Sequence, residues 1–475
     1  MRNFVLIVLL FSVSSFAQSR RVNPGRVSNP LTPVANLTED LPVKKMFDEA
    51  NSYKKTKFAE YQLKKLPYSE KLRLQTEREQ KQLAAKYSAI AGARATPTGD
   101  DLYHLGLLHW IAENLDGTAE SFRKYLASET PPADKAQTSR SMIVIIAAKQ
   151  KNFDEAAKIL AEYIKNEPVK MSERARMEIE LAKAYLAEKN FAKAAPHATE
   201  AYRAAKTLLN KDNTVTVRGL DETLDAGMLL FESHKATGNI KEADSALDDL
   251  RKSAAAVGSP SFYYYAADKL ITYQIETGRK NIGLETYLTS MIQAGKELPS
   301  KPTQMDAIER LKKREKHYKL LGETAPEFSG IDQWFPGESR PFSGLRGKVV
   351  LLDFWATWCG PCFDAFPSLE EWHQDYAADG LVILGVTRYY GNADGFPADN
   401  PNEIEFLKRF KIKHRLSYDF VVVKEQTAQQ AYGATGLPTT VLIDRKGVIR
   451  YIESGTNPTR LIEMREMMLK LLAEK

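Results

Sequence analysis

The chain has 475 residues, 43% of them hydrophobic, a formal charge of +6 and only two cysteines. That length suits about three domains, with apolar residues enough for cores that need no cross-links. The mild charge, with no basic stripe interleaved with aromatics, excludes nucleic-acid binding. Two cysteines also exclude a disulfide-stapled framework.

The first residues read MRNFVLIVLLFSVSSFAQ. Arg2 supplies a positive start, Phe4–Phe11 an apolar run, and Ser15 and Ala17 the small residues of a cleavage site before Gln18. The run is too short to span a bilayer, which takes about 20 apolar residues. Residues 1–17 therefore read as a signal peptide and the protein as exported; an uncleaved anchor is the alternative. No cysteine follows the run, so lipid attachment there is excluded. Residues 18–40, rich in Pro, Asn and Ser, read as a flexible leader. Residues 41–99 carry charged helical patterns interrupted at Leu66-Pro67, which predicts two long helices. Pairs such as Lys64-Lys65 sit beside glutamates and read as solvated faces.

Between 100 and 321 the chain repeats. NLDGTAESF at 114, NFDEAAKIL at 152 and NFAKAAPHA at 190 begin 38 residues apart. Gly106, Val144 and Ala182 share one phase, as do His109, Ala147 and Tyr185; looser copies follow at 238 and 277. Small residues at fixed helical positions predict helical hairpins that bury their faces only by stacking. With Pro131 and Pro168 near unit ends, this pattern resembles tetratricopeptide repeats, slightly longer than that family's period of about 34 residues.

After GETAPEFSG the pattern changes to apolar runs alternating with helices. The spacing predicts a strand in KVVLLDFWA, a helix in CFDAFPSLEEWHQDYAA, a strand in GLVILGVTRYY and a helix in NPNEIEFLKRF. A short helix AQQAYGA, strands TTVLIDRKG and VIRYIESG, and a helix over 458–474 follow. This is a compact α/β domain at 322–475.

Both cysteines lie in WCGPC, between predicted strand and helix. Cys359 would stand at a helix start, where unpaired amides and the helix dipole favour a thiolate, the nucleophile of disulfide exchange. Cys362, one turn on, can resolve the mixed disulfide. Zinc would need two more ligands, which no second cysteine pair or histidine cluster offers. Haem attachment would need His where Phe363 stands. A structural disulfide closing so small a loop would stabilise little.

DFWATWCGPC, Pro367 and GLPTTVLID together resemble the thioredoxin superfamily. APEFSG…LRGKVV and the inserted segment 388–402 resemble its exported TlpA/ResA-like branch. The resemblance covers about 322–475. It implies a thioredoxin fold and a redox-active Cys359–Cys362 disulfide with no other cofactor and no metal. It implies a cis-proline at Pro438, with the Leu437 backbone pairing a substrate segment as an added strand. It makes Asp353, on an otherwise apolar strand, a general base toward Cys362. Trp358 would shield Cys359 and offer a contact surface, and Gly360-Pro361 is the dipeptide of reducing thioredoxins, at about −270 mV. The branch often carries Glu where Ala365 stands and Asn where Asp353 stands, so its specificity is not carried over. The reading that follows is an exported, periplasmic thiol–disulfide oxidoreductase acting as a reductase. Its substrates would be protein thiols and disulfides, its electrons would come from a membrane donor of the DsbD/CcdA kind, and its repeats would dock a partner. A repeat-based binding scaffold with a thioredoxin-like docking module is the alternative, as is a disulfide oxidase or isomerase.

Overall fold

The computed structural model describes residues 41–67, 69–94, 97–128, 130–209 and 217–474. The expected signal peptide (1–17) and leader (18–40) lie outside the described residues. Helices α1 (Val43–Leu63) and α2 (Glu70–Gly92) flank the Leu66-Pro67 break. They are followed by α3 (Gly99–Ile111), α4 (Leu115–Leu126), α5 (Ala133–Lys149), α6 (Phe153–Lys165), α7 (Met171–Ala187), α8 (Phe191–Leu209), α9 (Val217–Ala236) and α10 (Ile240–Ala256).

The sequence repeat is a capping repeat. Each motif Asn caps its helix, Asn114, Asn152 and Asn190 accepting from the backbone N–H of Gly117, Glu155 and Lys193, which satisfies donors a helix start leaves unpaired. The residue before each Asn is left-handed: Glu113, Lys151 and Lys189 have φ of 60°, 61° and 55°. That conformation ends the preceding helix, and the N–H of each Asn returns to the carbonyl of His109, Ala147 or Tyr185, as in a Schellman cap. The looser copy uses glycine there, with Gly238 at φ 73° before Asn239. Helices α3 and α4, α5 and α6, and α7 and α8 pack as hairpins, and α5 packs on α7. At Gly106 a Cβ would stand 2.7 Å from the buried Phe122 ring, so the hairpin closes on a residue without a side chain.

The chain divides into two units within α10, at Ala246/Leu247. The second unit holds α11 (Pro260–Glu276), α12 (Lys280–Glu297) and α13 (Lys301–Leu320), which lie upstream of residue 322, together with a six-stranded sheet. Its strands are β1 (Ile331–Phe335), β2 (Val349–Phe354), β3 (Leu381–Arg388), β6 (Asp419–Val423), β7 (Thr439–Ile443) and β8 (Ile449–Ser454), with a small hairpin of β4 (Asn392–Ala393) and β5 (Phe396–Pro397) beside it. The helices are α14 (Gly360–Phe363), α15 (Phe366–Tyr376), α16 (Asn400–Lys413), α17 (Thr427–Tyr432) and α18 (Pro458–Ala473).

Sheet order is β1-β6-β3-β2-β7-β8. Strands β2, β3 and β6 are parallel, joined by helical crossovers, whereas β7 and β8 form a closing antiparallel hairpin. Strand β1 runs antiparallel to β6; neither β1 nor β6 was among the predicted strands. The predicted helix after the cysteines is two helices. Pro367 stands in the first turn of α15, because it has no N–H for an interior bond and its ring would clash with the preceding turn.

Within this unit α11 and α13 are tied to β8 through a buried guanidinium. Arg314 Nε meets Asp268 at 3.0 Å, Nη2 meets Glu453 at 3.4 Å, and Nη1 donates to the Ile452 carbonyl at 3.0 Å. Tyr318 Oη donates to the same Asp268 carboxylate at 2.6 Å.

Candidate redox site

Strand β2 leads directly into the cysteine motif. Cys359 is the N-cap of the four-residue helix α14, and the Cys362 N–H donates to the Cys359 carbonyl at 3.0 Å. The two sulfurs are bonded, S–S 2.04 Å with Cα atoms 5.4 Å apart. Cys362 is wholly buried and Cys359 retains 4% exposure, while the intervening Gly360 and Pro361 are exposed. The tight turn therefore sorts the pair into an outer and an inner sulfur. Trp358, one residue earlier, is 63% exposed, with its ring edge-on to Tyr390 at 5.4 Å.

The Leu437–Pro438 peptide bond is cis. Pro438 is buried and Leu437 half-exposed at the entry to β7. The Pro438 carbonyl accepts from Gly455 at 2.7 Å, and Thr439 Oγ1 donates to the Gly436 carbonyl at 2.6 Å. These bonds fix the loop from both sides. Pro438 lines a small cavity with Ala365, Thr440, Tyr451 and Glu453. Ala365 in turn donates its N–H to the Cys362 carbonyl, so the cis-proline and the inner cysteine's turn meet at one place.

Asp353 sits in register between Gly385 of β3 and Thr440 of β7. Val349 and Leu351, four and two residues before it and so on its face of the strand, belong to the core cluster containing both cysteines, so strand periodicity puts the carboxyl on the cysteine face. It is 1% exposed, and neither oxygen has a hydrogen-bond partner among the described residues. Burial alone pushes its pKa up from 3.8 to about 7. Tyr418, at the head of β6, is buried with its hydroxyl likewise unpartnered. Burial and then the Asp353 charge hold that phenol well above its usual range.

The fold thus brings Cys359, Cys362, Pro438 and Asp353 into one region, with Trp358, Gly360, Pro361 and Leu437 at its surface. Sequence reasoning missed three parts of the neighbourhood. Tyr418 was missed because β6 was unassigned. Glu453 reads in sequence as the polar face of an edge strand. Tyr390, which meets Trp358, lies in the inserted segment, whose course no periodicity predicts. Among the described residues no cluster of His, Cys, Asp or Glu could hold a metal ion.

A parallel β2-β3-β6 core closed by an antiparallel hairpin, with a CxxC at the head of the first crossover and a cis-proline in the loop before β7, defines a thioredoxin-fold thiol–disulfide oxidoreductase. The Redoxin family profile matches residues 320–469. Thiol-disulfide oxidoreductase ResA of Geobacillus thermodenitrificans is 34% identical over 142 residues, 30% of this chain and 74% of that protein. Thioredoxin-like protein YneN of Bacillus subtilis is 31% identical over 144 residues, 30% of this chain and 77% of that protein. Among solved structures, the thioredoxin domain of a thiol-disulfide oxidoreductase of Bacteroides vulgatus is 23% identical, covering 31% of this chain and 96% of its own, with a TM-score of 0.26. The chain belongs to the TlpA/ResA-like branch of the thioredoxin superfamily.

Proposed function

We propose that the protein is an exported reductase of protein disulfides in the bacterial periplasm, with its chemistry in residues 322–475. The hairpins within 100–321 would dock a partner or present substrates. The observation that carries the reading is the asymmetry of the pair, Cys359 keeping slight exposure and Cys362 none, on the same strand-and-turn unit as a buried carboxyl with a pKa of about 7.

In the reduced enzyme Cys359, as the thiolate, attacks a substrate disulfide. A Cys359–substrate disulfide forms, and the first substrate sulfur leaves and takes up a proton. Cys362 then passes its proton to the ionised Asp353 and attacks the Cys359 sulfur. The Cys359–Cys362 bond forms, and the second substrate sulfur leaves. The substrate gains two electrons and two protons: the enzyme dithiol supplies both electrons, the Cys362 proton reaches the second leaving sulfur by way of Asp353, and solvent supplies the proton taken up by the first. A carboxyl whose pKa lies near neutrality suits this exchange, because it can both take and give up a proton there. Leu437 would pair its backbone with the substrate strand beside Pro438, and Trp358 would cover the reacting sulfurs. Gly360-Pro361 favours the reducing direction, which outside the cytoplasm requires a membrane thiol donor of the DsbD/CcdA kind.

Two measurements test the scheme. The full-length enzyme should reduce insulin disulfides with dithiothreitol as electron source. Cys362→Ala should accumulate covalent mixed disulfides through Cys359, visible on non-reducing gels and lost on reduction. Absence of both would favour the scaffold reading.

A further inference from the structure

Beside Trp358 opens a groove of about 940 Å³ that the scheme above leaves unused. Its walls are the cysteine segment, the segment after β3, and α16. The floor is aromatic: the Phe363 and Phe410 rings stand 5.7 Å apart, and the His414 ring lies 4.2 Å from Phe410. Along the rim Arg409 and Lys413 project from one face of α16, four residues apart and exposed. Neither makes a hydrogen bond or ion pair among the described residues. On the opposite wall Arg388 stacks on Tyr390 at 4.2 Å, the ring that also meets Trp358. Among the described residues that line the groove, three permanent cations face a single carboxylate, Asp394, while Glu405, outside the lining, lies within electrostatic reach of Arg409.

The groove is built in advance. The buried Glu403 of α16 accepts from the backbone N–H groups of Tyr390 and Gly391, both at 2.9 Å, which pins one wall to the other. Asp399 caps the same helix by accepting from Asn402 at 3.0 Å. A surface fixed in this way binds without the cost of ordering its walls.

We propose that this groove selects substrates, taking an extended acidic segment of the substrate protein with a large apolar side chain next to its cystine. The apolar side chain covers Trp358 and the aromatic floor, and carboxylates pair with Arg409 and Lys413. The position argues for the flanking chain of the substrate itself, since the groove begins one residue from Cys359 and any polypeptide disulfide reacting there must pass its mouth. Complementary charge at such a rim chiefly raises encounter rate and selects partners. The proposal rests on the reductase reading and adds a preference to it.

The test uses the full-length protein, reduced with dithiothreitol and freed of it, so that the Cys359/Cys362 dithiol supplies the two electrons. Two disulfide peptides of equal length share one Phe beside the cystine and differ only in two flanking Glu or two flanking Lys. Thiol release is quenched with alkylating agent and quantified. At low salt the Glu peptide should react about tenfold faster, the effect of two exposed ion pairs, and the ratio should shrink in 0.5 M NaCl. Arg409→Glu with Lys413→Glu should invert the preference; if that variant melts early, Arg409→Gln with Lys413→Gln should bring the ratio to about one. Equal rates in the wild type, or a ratio preserved in the folded variants, would overturn the proposal. Oxidised 2-mercaptoethanol separates the two layers: failure to reduce it sinks the reductase reading, whereas reducing it while the Glu and Lys peptides react at equal rates sinks only the groove.

Discussion

Asp353→Asn removes an ionisable group while keeping its shape, in a site that provides no hydrogen-bond partner among the described residues to either oxygen. Burial raises the carboxyl from 3.8 to about 7, roughly 3 units at about 1.4 kcal/mol each, hence about 4 kcal/mol in full. Because the folded pKa is raised, the term is absent below about pH 4, where folded and unfolded chains are both protonated. Between about pH 4 and 7 the unfolded chain ionises first and stability is lost; above about pH 7 the loss is complete. Asparagine cannot ionise. The stability of the variant relative to wild type should therefore grow by about 3 kcal/mol between pH 4.5 and pH 8.5. Urea titrations of the oxidised protein, followed by the fluorescence of the buried Trp355 and Trp372 with the other tryptophans, measure it. The same substitution should flatten the rise through pH 7 in the rate at which Cys362 resolves a mixed disulfide. Parallel pH dependences in wild type and variant would refute a buried, unpaired, titrating carboxyl.

Arg314→Ala leaves Asp268 and Glu453 without their shared cation and should destabilise the second unit by about 3–5 kcal/mol in the same urea assay. Gly106→Ala forces a Cβ to 2.7 Å from the Phe122 ring. Even after the better helix propensity of alanine it should lower stability by about 1–2 kcal/mol, with a lower thermal midpoint for the helical signal by circular dichroism. The Cys359–Cys362 couple, equilibrated against glutathione and quantified by alkylation and mass spectrometry, should poise near the −270 mV region of reducing thioredoxins; a value near −120 mV would place it among the oxidants.

Much of this arrangement was legible because the sequence repeats its physics. The Asn at 114, 152 and 190 caps a helix and the residue before it turns left-handed, so a 38-residue spacing in letters is a 38-residue spacing in hydrogen bonds. The apolar strand VVLLDF, broken by a single carboxylate, gave both β2 and Asp353, since a charge inside such a run has no ordinary reason to be there. Pro438 was legible only with its neighbours, because a proline alone does not specify a cis bond. What remained hidden depends on contacts distant in sequence. DFVVV was left unassigned as β6, and with it the unpartnered Tyr418 at its head. The strand IDQWF takes its place as β1 only by pairing with β6, and its alternation is too short to stand out. The bond from Arg314 to Glu453 joins residues 139 positions apart, and a lysine- and arginine-rich helix read alone looks like a solvated face. Pro367 shows the opposite error: a proline inside a helical pattern marked the start of a new helix.

The most direct test follows the two sulfurs of the reduced protein through a pH titration with iodoacetamide, locating each adduct by mass spectrometry. Cys359 should react first at every pH, with an apparent pKa clearly below the 8.5 or so of a free thiol, while Cys362 stays unlabelled in the folded chain. Equal labelling of the two, or a Cys359 that reacts only above pH 8.5, would contradict the account.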